Sequence, residues 1–318
     1  MNTDRFAISL DLINRHYQAP NRNRFESKYF WEELYPLIRA SGFRSIEIPY
    51  EPVWQFGGRS GVPMNRYCIN TKYASAAGYR AALAERGIEQ VTGVTFDPNL
   101  FMRNASLDFF FGAGGHFAGE ALAHAADLGA DYFAISPSPY YGRAAHYHPD
   151  LEDKRQGFTQ RMTDLLAGLA EKAATAGVTL VLRNEYWSLF RGEAILPLFD
   201  ALPDSVRLDV DTASLTIAGI DPAAFVEAQQ HRIGTVHLTD TAFVDTHETW
   251  KTANPEFPGH RATQVFRDPG TGTVDLAGIV SLLGRLGYQG PIVMSARQTR
   301  DPFRALLRTR ALLDQLPN

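Results

Sequence analysis

Eight short apolar runs alternate with eight helical patterns along the 318 residues, and this alternation predicts a single (β/α)8, or TIM, barrel. Two further observations favour a closed barrel over an open doubly wound sheet. Eight units fill the length of the chain, and no Gly-x-Gly-x-x-Gly turn follows the first run. No break in composition divides the sequence, so residues 1–318 are read as one domain.

Each unit is read from its pattern. FAISLDL (6–12) is a strand, and SKYFWEELYPLIRASG (27–42) a helix closing on Gly42. SIEIPY (45–50) is the second strand, followed by a long polar loop over 51–72 and a helix over 74–87. Strands over 89–97, 131–136, 178–183 and 206–211 pair with helices over 119–130, 158–177, 191–202 and 221–230. The seventh strand, 233–240, precedes an insertion spanning 241–273 and a helix over 275–287. PIVMSA (291–296) and the helix 302–316 complete the series. The two long loops follow strand ends, where this architecture builds its active site.

Composition narrows the function classes. A net charge of -4 with no dense Lys/Arg run excludes a polyanion-binding surface, so no nucleic-acid partner is expected. Cys68 is the only cysteine, which rules out an intrachain disulfide and a cysteine-cluster metal site. No apolar run approaches membrane-spanning length and the N-terminus has no signal-peptide core, so a cytoplasmic protein without a membrane partner is expected.

In a barrel, polar side chains at strand ends point into one bowl. Here they are Asp11, Glu47, Glu51, Asp97, Ser136, Ser138, Arg183, Glu185, Asp209, Asp211, His237, Asp240, Ser295 and Arg297. Residues i and i+2 of a strand share a face, so Asp209 and Asp211 face the axis while Leu208 and Val210 face the helices. Two close carboxylates raise each other's pKa unless a cation lies between them. Arg183, Arg297 and a metal are the candidate cations. Glu185, Asp211 and His237 come from three consecutive strands and form an oxygen and nitrogen set suited to Mn²⁺, Mg²⁺, Co²⁺ or Zn²⁺. The competing reading of the same residues is a structural ion-pair network.

Several stretches give the chain a family resemblance over nearly its whole length. SIEIPY, LDVDTASLTIAG, VHLTD and GTGTVDLAGIVSLLGRLGYQGPIVMSA resemble the sugar phosphate isomerase/epimerase superfamily, the xylose isomerase-like barrels. The resemblance implies a divalent metal, Mn²⁺ first, held by a fifth-strand Glu, a sixth-strand Asp, a seventh-strand His and an eighth-strand Glu. Asp211 and His237 match that set. Arg183 stands at the fifth-strand position with Glu185 one layer higher, Ser295 at the eighth, and Ser214 replaces the usual sixth-strand His. Either Glu185, Asp211 and His237 hold the metal, or Arg183 and Arg297 supply its charge. KYFWEELYPLI, IEIPYEPVWQFGGRSG, FDPNLFMRN and LRNEYWSLFRG further resemble barrels that cleave or rearrange 3-oxidised sugars, including C-glycoside deglycosidases.

The resemblance implies proton abstraction next to a sugar carbonyl through an enediolate, which leads to isomerisation, epimerisation or elimination. Glu47, Glu185, His146, His148 and His237 are the candidate acid/base groups. Arg183 and Arg297 would hold substrate oxygens, and Trp54, Tyr140, Tyr186 and Trp187 would stack on a sugar face. The expected partner is a small sugar or glycoside, with a second copy or a small partner subunit as further candidates. The alternative is a metal-free sugar-binding or partner-dependent barrel subunit. An endonuclease-type barrel is set aside, because the basic groove and extra histidines it needs are missing.

Overall fold

The computed structural model describes residues 5–13, 27–52, 62–103, 105–252, 265–297 and 299–316. The strands are β1 (Phe6–Ser9), β2 (Ser45–Pro49), β3 (Gln90–Phe96), β4 (Tyr132–Ile135), β5 (Thr179–Arg183), β6 (Arg207–Asp211), β7 (Ile233–Thr241) and β8 (Ile292–Ser295). Each pairs in parallel with its sequence neighbours, and β8 pairs with β1 to close the ring. A closed parallel barrel of eight strands with flanking helices therefore confirms the predicted fold.

The helices are α1 (Lys28–Ala40), α2 (Arg66–Tyr73), α3 (Ala76–Ala84), α4 (Leu107–Leu128), α5 (Tyr141–Tyr147), α6 (Arg155–Ala176), α7 (Thr212–Ile217), α8 (Pro222–Gln229), α9 (Leu276–Arg285) and α10 (Pro302–Leu313). Four differences from the sequence reading have local causes. α2 lies inside the stretch read as loop 51–72, started by Asn65, whose side chain accepts from Cys68 N. α4 begins twelve residues earlier than expected, because Ser106 caps Phe109 N and the helix tolerates the glycines that follow. Residues 192–201 form a 3-10 helix, with Pro197 inside it and Gly192 at φ 56° as its first residue. In the 241–273 insertion, Phe266–Arg267 pairs antiparallel with the end of β7, while residues 253–264 lie outside the described residues.

Strand alternation sorts the side chains. Ile8, Ile46, Val94, Phe133, Leu182, Leu208, Val210, Val236, Leu238 and Met294 face outward and pack in the main hydrophobic cluster. Ala7, Tyr132, Ala134, Val181 and Val293 form a separate small cluster inside the barrel. Above that apolar plug, the inward positions turn polar: Ser9, Glu47, Arg183, Asp209, His237 and Ser295. Gly93 on β3 makes this layer reachable from β4. A methyl group there would collide with the Tyr132 ring, so glycine lets the tyrosine lie across its neighbour strand. Among the described residues, no helix is long and apolar enough to cross a membrane.

Candidate active site

The bowl has two layers, and the lower one is a closed network of charge. Glu47 Oε1 accepts from the Ser9 hydroxyl at 2.7 Å. Its Oε2 accepts from the Tyr132 hydroxyl at 2.6 Å and from His237 Nε2 at 2.7 Å. The other ring nitrogen, Nδ1, lies 2.6 Å from Asp209 Oδ1, and Arg183 Nε donates to Asp209 Oδ2 at 2.7 Å. Glu47 and Asp209 are fully buried, and Arg183 keeps 14% of its side chain exposed.

Protonation follows from these contacts. Burial alone would raise the Glu47 pKa, but the His237 and Arg183 charges, with the His237 and Tyr132 hydrogen bonds, hold it at about 2. Burial likewise works against ionised Asp209, and Arg183 and His237 overcome it, so its pKa falls below the ordinary value. His237 is pushed down by burial and by Arg183, yet the two carboxylates raise it to about 9. It is therefore an imidazolium donating both ring protons. Arg183 Nη2 also lies 2.7 Å from His237 Nε2. Because that nitrogen's proton is committed to Glu47, this is a contact of two cations held by flanking anions, not a hydrogen bond. Two carboxylates, one guanidinium and one imidazolium sum to zero charge, which is how four ionised groups stay buried together.

The upper layer lies nearer the mouth. Arg297 Nη1 donates to Glu185 Oε2 at 2.7 Å and its Nη2 lies 3.3 Å from the Tyr140 hydroxyl. The same guanidinium sits 4.3 Å above the Phe266 ring, so the insertion after β7 forms one wall. Asp11, just beyond β1, accepts from the Ser295 hydroxyl at 2.6 Å. Although part of Asp11 is open to solvent, its Oδ1 is shielded and has no hydrogen-bond partner among the described residues. Burial raises its pKa to about 6, with the Glu47 charge adding and the Ser295 bond opposing.

Asp209 and Asp211 both face inward as expected, but they do different work. Asp209 balances Arg183 and His237. Asp211 caps α7, its Oδ1 accepting from Ser214 N at 2.8 Å and its Oδ2 from the Thr239 hydroxyl at 2.7 Å. Asp240, the last acid of VHLTD, accepts from the backbone N–H groups of Thr241, Gly270, Gly272 and Val274. It ties the end of the insertion to β7, and Gly272 approaches it too closely for any side chain.

Of the predicted site residues, Glu47, Arg183 and His237 converge directly, and Glu185, Arg297 and Tyr140 form a second group above them. His146 is exposed on α5, its ring edge-on to Tyr147, and makes no hydrogen bond to either group among the described residues. His148 is buried at the end of that helix. Trp187 is fully enclosed with Tyr140, Tyr186 and Phe266, so its ring offers no open face to a sugar. Trp54 lies outside the described residues. The sequence places Asp11 in the bowl but gives it no role there, and it does not mark Tyr132 as a site residue. Tyr132 passes for an apolar strand residue in DYFAIS, and the available signal was Gly93 in the adjacent strand.

The set Glu185, Asp211 and His237 does not fit a divalent ion in this arrangement. Glu185 is paired with Arg297, Asp211 spends both oxygens on α7 and Thr239, and His237 spends both nitrogens on carboxylates. Among the described residues, no group of three or more His, Cys, Asp or Glu side chains is arranged so that it could hold a metal ion.

Residues 36–315 match the xylose isomerase-like TIM barrel family, and the chain belongs to that family. It is 26% identical over 164 residues to inosose dehydratase of Lacticaseibacillus casei, covering 50% of this chain and 55% of that protein. A second inosose dehydratase, from Geobacillus thermodenitrificans, is 28% identical over 169 residues, covering 50% of this chain and 56% of that one. The chain thus spans about half the length of the curated relatives it matches. Among solved structures, D-psicose 3-epimerase of Clostridium cellulolyticum H10 superposes with a TM-score of 0.64 at 16% identity, covering 98% of this chain and 97% of that one. The 3-keto-D-glucoside 4-epimerase of E. coli gives 0.61 at 18% identity, covering 98% and 99%. At these identities the structural likeness is one of fold.

Proposed function

We propose that the protein is a sugar isomerase, epimerase or lyase acting on a keto-sugar or 3-oxidised glycoside by proton abstraction next to the carbonyl. The observation that carries this reading is the convergence, on one bowl, of a fixed guanidinium at Arg183 with the Asp11 carboxyl oxygen that has no partner among the described residues. The chemistry needs both: a group that takes and returns a proton, and a cation facing the oxygen on which charge develops. Glu47 is held ionised by three hydrogen bonds and is a weak base, so the proton acceptor is Asp11, with Glu185 above it as the other candidate. Arg183 and Arg297 orient the substrate oxygens, and Tyr140 stands beside Arg297 to do the same. An enediolate formed there reprotonates to give an isomer or epimer, or expels a β-substituent to give elimination.

The relatives support the same substrate class. Inosose dehydratases are among them, and the structural neighbours include a 3-keto-D-glucoside 4-epimerase, so carbonyl-bearing polyols recur among them. The protein works in solution as one barrel domain, with a second copy or a small partner subunit as the remaining candidates for assembly. A partner-dependent or purely sugar-binding barrel is the second reading, favoured by the loss of the Glu positions on the fifth and eighth strands.

The test is solvent exchange. The purified chain is incubated in D2O with ketohexoses, 3-keto-glucosides and inososes, and the carbon next to the carbonyl is followed by NMR. Deuterium entering that carbon, and failing to enter with Asp11→Asn, supports the reading. No exchange and no turnover with any of the three classes overturns it in favour of the second.

A further inference from the structure

We propose that Arg183 is a built-in cation that takes the place of a bound divalent ion, so that this barrel runs its chemistry without a metal. The inference rests on the layer formed by Glu47, Asp209, His237 and Arg183. Without the guanidinium, two carboxylates and one imidazole from β2, β6 and β7 remain on the axis, the donor types a first-row divalent ion accepts. The guanidinium lies among them, 2.7 Å from Asp209 and 3.7 Å from Glu47. Since Arg cannot lose its proton in a protein, this positive charge is permanent.

Geometry keeps the cation in place and aims it. Nε is fixed by Asp209, and Nη2 is wedged between His237 and Glu47. Nη1 makes no hydrogen bond to any described residue, and the side chain retains an exposure of 14%. One face of the guanidinium is therefore tethered by anions while the remaining amino group is available to a substrate oxygen. A divalent ion entering the layer would meet the guanidinium charge, with every carboxylate oxygen already engaged by a neighbouring group. Ser295 at the end of β8 is consistent with this. It serves as a donor to Asp11, where a carboxylate would add the negative charge that a metal requires.

The inference is tested by metal binding, which needs no substrate, so its failure is distinguishable from failure of the proposed reaction. Wild-type protein purified without chelator is assayed for bound Mn, Co, Mg and Zn, then titrated with Mn²⁺ by calorimetry and by loss of the free-ion electron paramagnetic resonance signal. The expected result is less than a tenth of an equivalent bound, and no change in melting temperature with 1 mM Mn²⁺. Arg183→Glu exposes three carboxylates and His237 to one another, and it is expected to bind about one equivalent of Mn²⁺ and to melt higher in its presence. Should Arg183→Glu not fold, Arg183→Met removes the fixed charge without adding a carboxylate and is expected to be stabilised by Mn²⁺ where the wild type is not. Stoichiometric Mn²⁺ on the wild type overturns the proposal, as does a Mn²⁺ response that is the same in wild type and variants.

Discussion

The charge network makes a strong claim about His237→Gln. The substitution keeps much of the side-chain volume, but it removes the positive charge and one of the two ring N–H donors shared between Asp209 and Glu47. Two buried carboxylates then face one guanidinium. Moving the imidazole from its ordinary 6.5 to about 9 corresponds to on the order of 3 kcal/mol. Breaking a buried pair from one side independently costs about 3–5 kcal/mol, and the two figures agree. The sign follows from the direction of the shift. A raised imidazole stabilises the fold fully below pH 6.5, and that contribution is lost as pH rises through about 9. Urea unfolding of wild type and variant at steps from pH 6 to 9.5 measures it, with the difference taken at each pH so that other groups cancel. The expected difference is about 3 kcal/mol at pH 6 and shrinks towards pH 9.5. A difference below about 1 kcal/mol at pH 6, or one that grows with pH, would falsify the imidazolium assignment.

Three further outcomes are expected. Asp11→Asn should lower turnover by about 100-fold or more, the usual contribution of a general acid/base group. Because the Asp11 pKa is raised to about 6, the wild type loses stability as pH rises from about 3.8 through 6, so Asp11→Asn should be the more stable form at pH 8 by about 1–2 kcal/mol in thermal melts; equal melting curves at pH 8 would contradict the raised value. Gly93→Ala should cost about 1–3 kcal/mol by forcing the Tyr132 ring aside, and Tyr132→Phe in the same background should not recover the lost Glu47 hydrogen bond; wild-type denaturant midpoints would show that the ring has room. Asp240→Ala leaves four backbone N–H groups without their acceptor, so limited proteolysis should cut within 241–273 faster than in wild type while the barrel's unfolding midpoint falls by about 2 kcal/mol or more; an unchanged digestion pattern would remove Asp240 as the tether.

The fold was legible because a parallel barrel writes itself into the chain as a repeat. Every strand except β3 and β7 is five residues or fewer, and each apolar run is bounded by a helix with its own period. The inward and outward faces followed from alternation alone, which is why Leu208 and Val210 were placed against the helices and Asp209 and Asp211 on the axis. What alternation leaves open is what an inward carboxylate meets. Asp211 carried its own signal, an acid followed by Thr-Ala-Ser, but a six-residue helix is too short for periodicity to separate from a loop. The role of Asp11, which the sequence places in the bowl without a task, and that of Tyr132 are hidden for a different reason. Their roles depend on neighbours more than eighty residues away, through Gly93-assisted reach to Glu47 in one case and through Ser295 in the other. Trp187 was read as a stacking platform from its place after a strand end, and burial beneath the insertion removed it from the bowl.

The two layers differ in how firmly their charged groups are held. In the lower layer each carboxylate oxygen has a donor and the charges cancel, so proton exchange there would unbalance three partners at once. That is a poor place for a base and a good place to anchor a cation. In the upper layer Asp11 has one oxygen tethered to Ser295 and the other without a partner among the described residues, and its pKa of about 6 lets it gain or lose a proton at neutral pH at little cost. The Glu47 charge below contributes to that position by disfavouring a second ionised carboxylate beside it. Under the proposed reaction, the buried network would therefore act on the chemistry without joining it. In the proposed reaction it would fix Arg183 towards the substrate oxygen and bias Asp11 towards holding a proton, so changes at Glu47 should move the pH profile of turnover through Asp11, to lower pH when the Glu47 charge is removed.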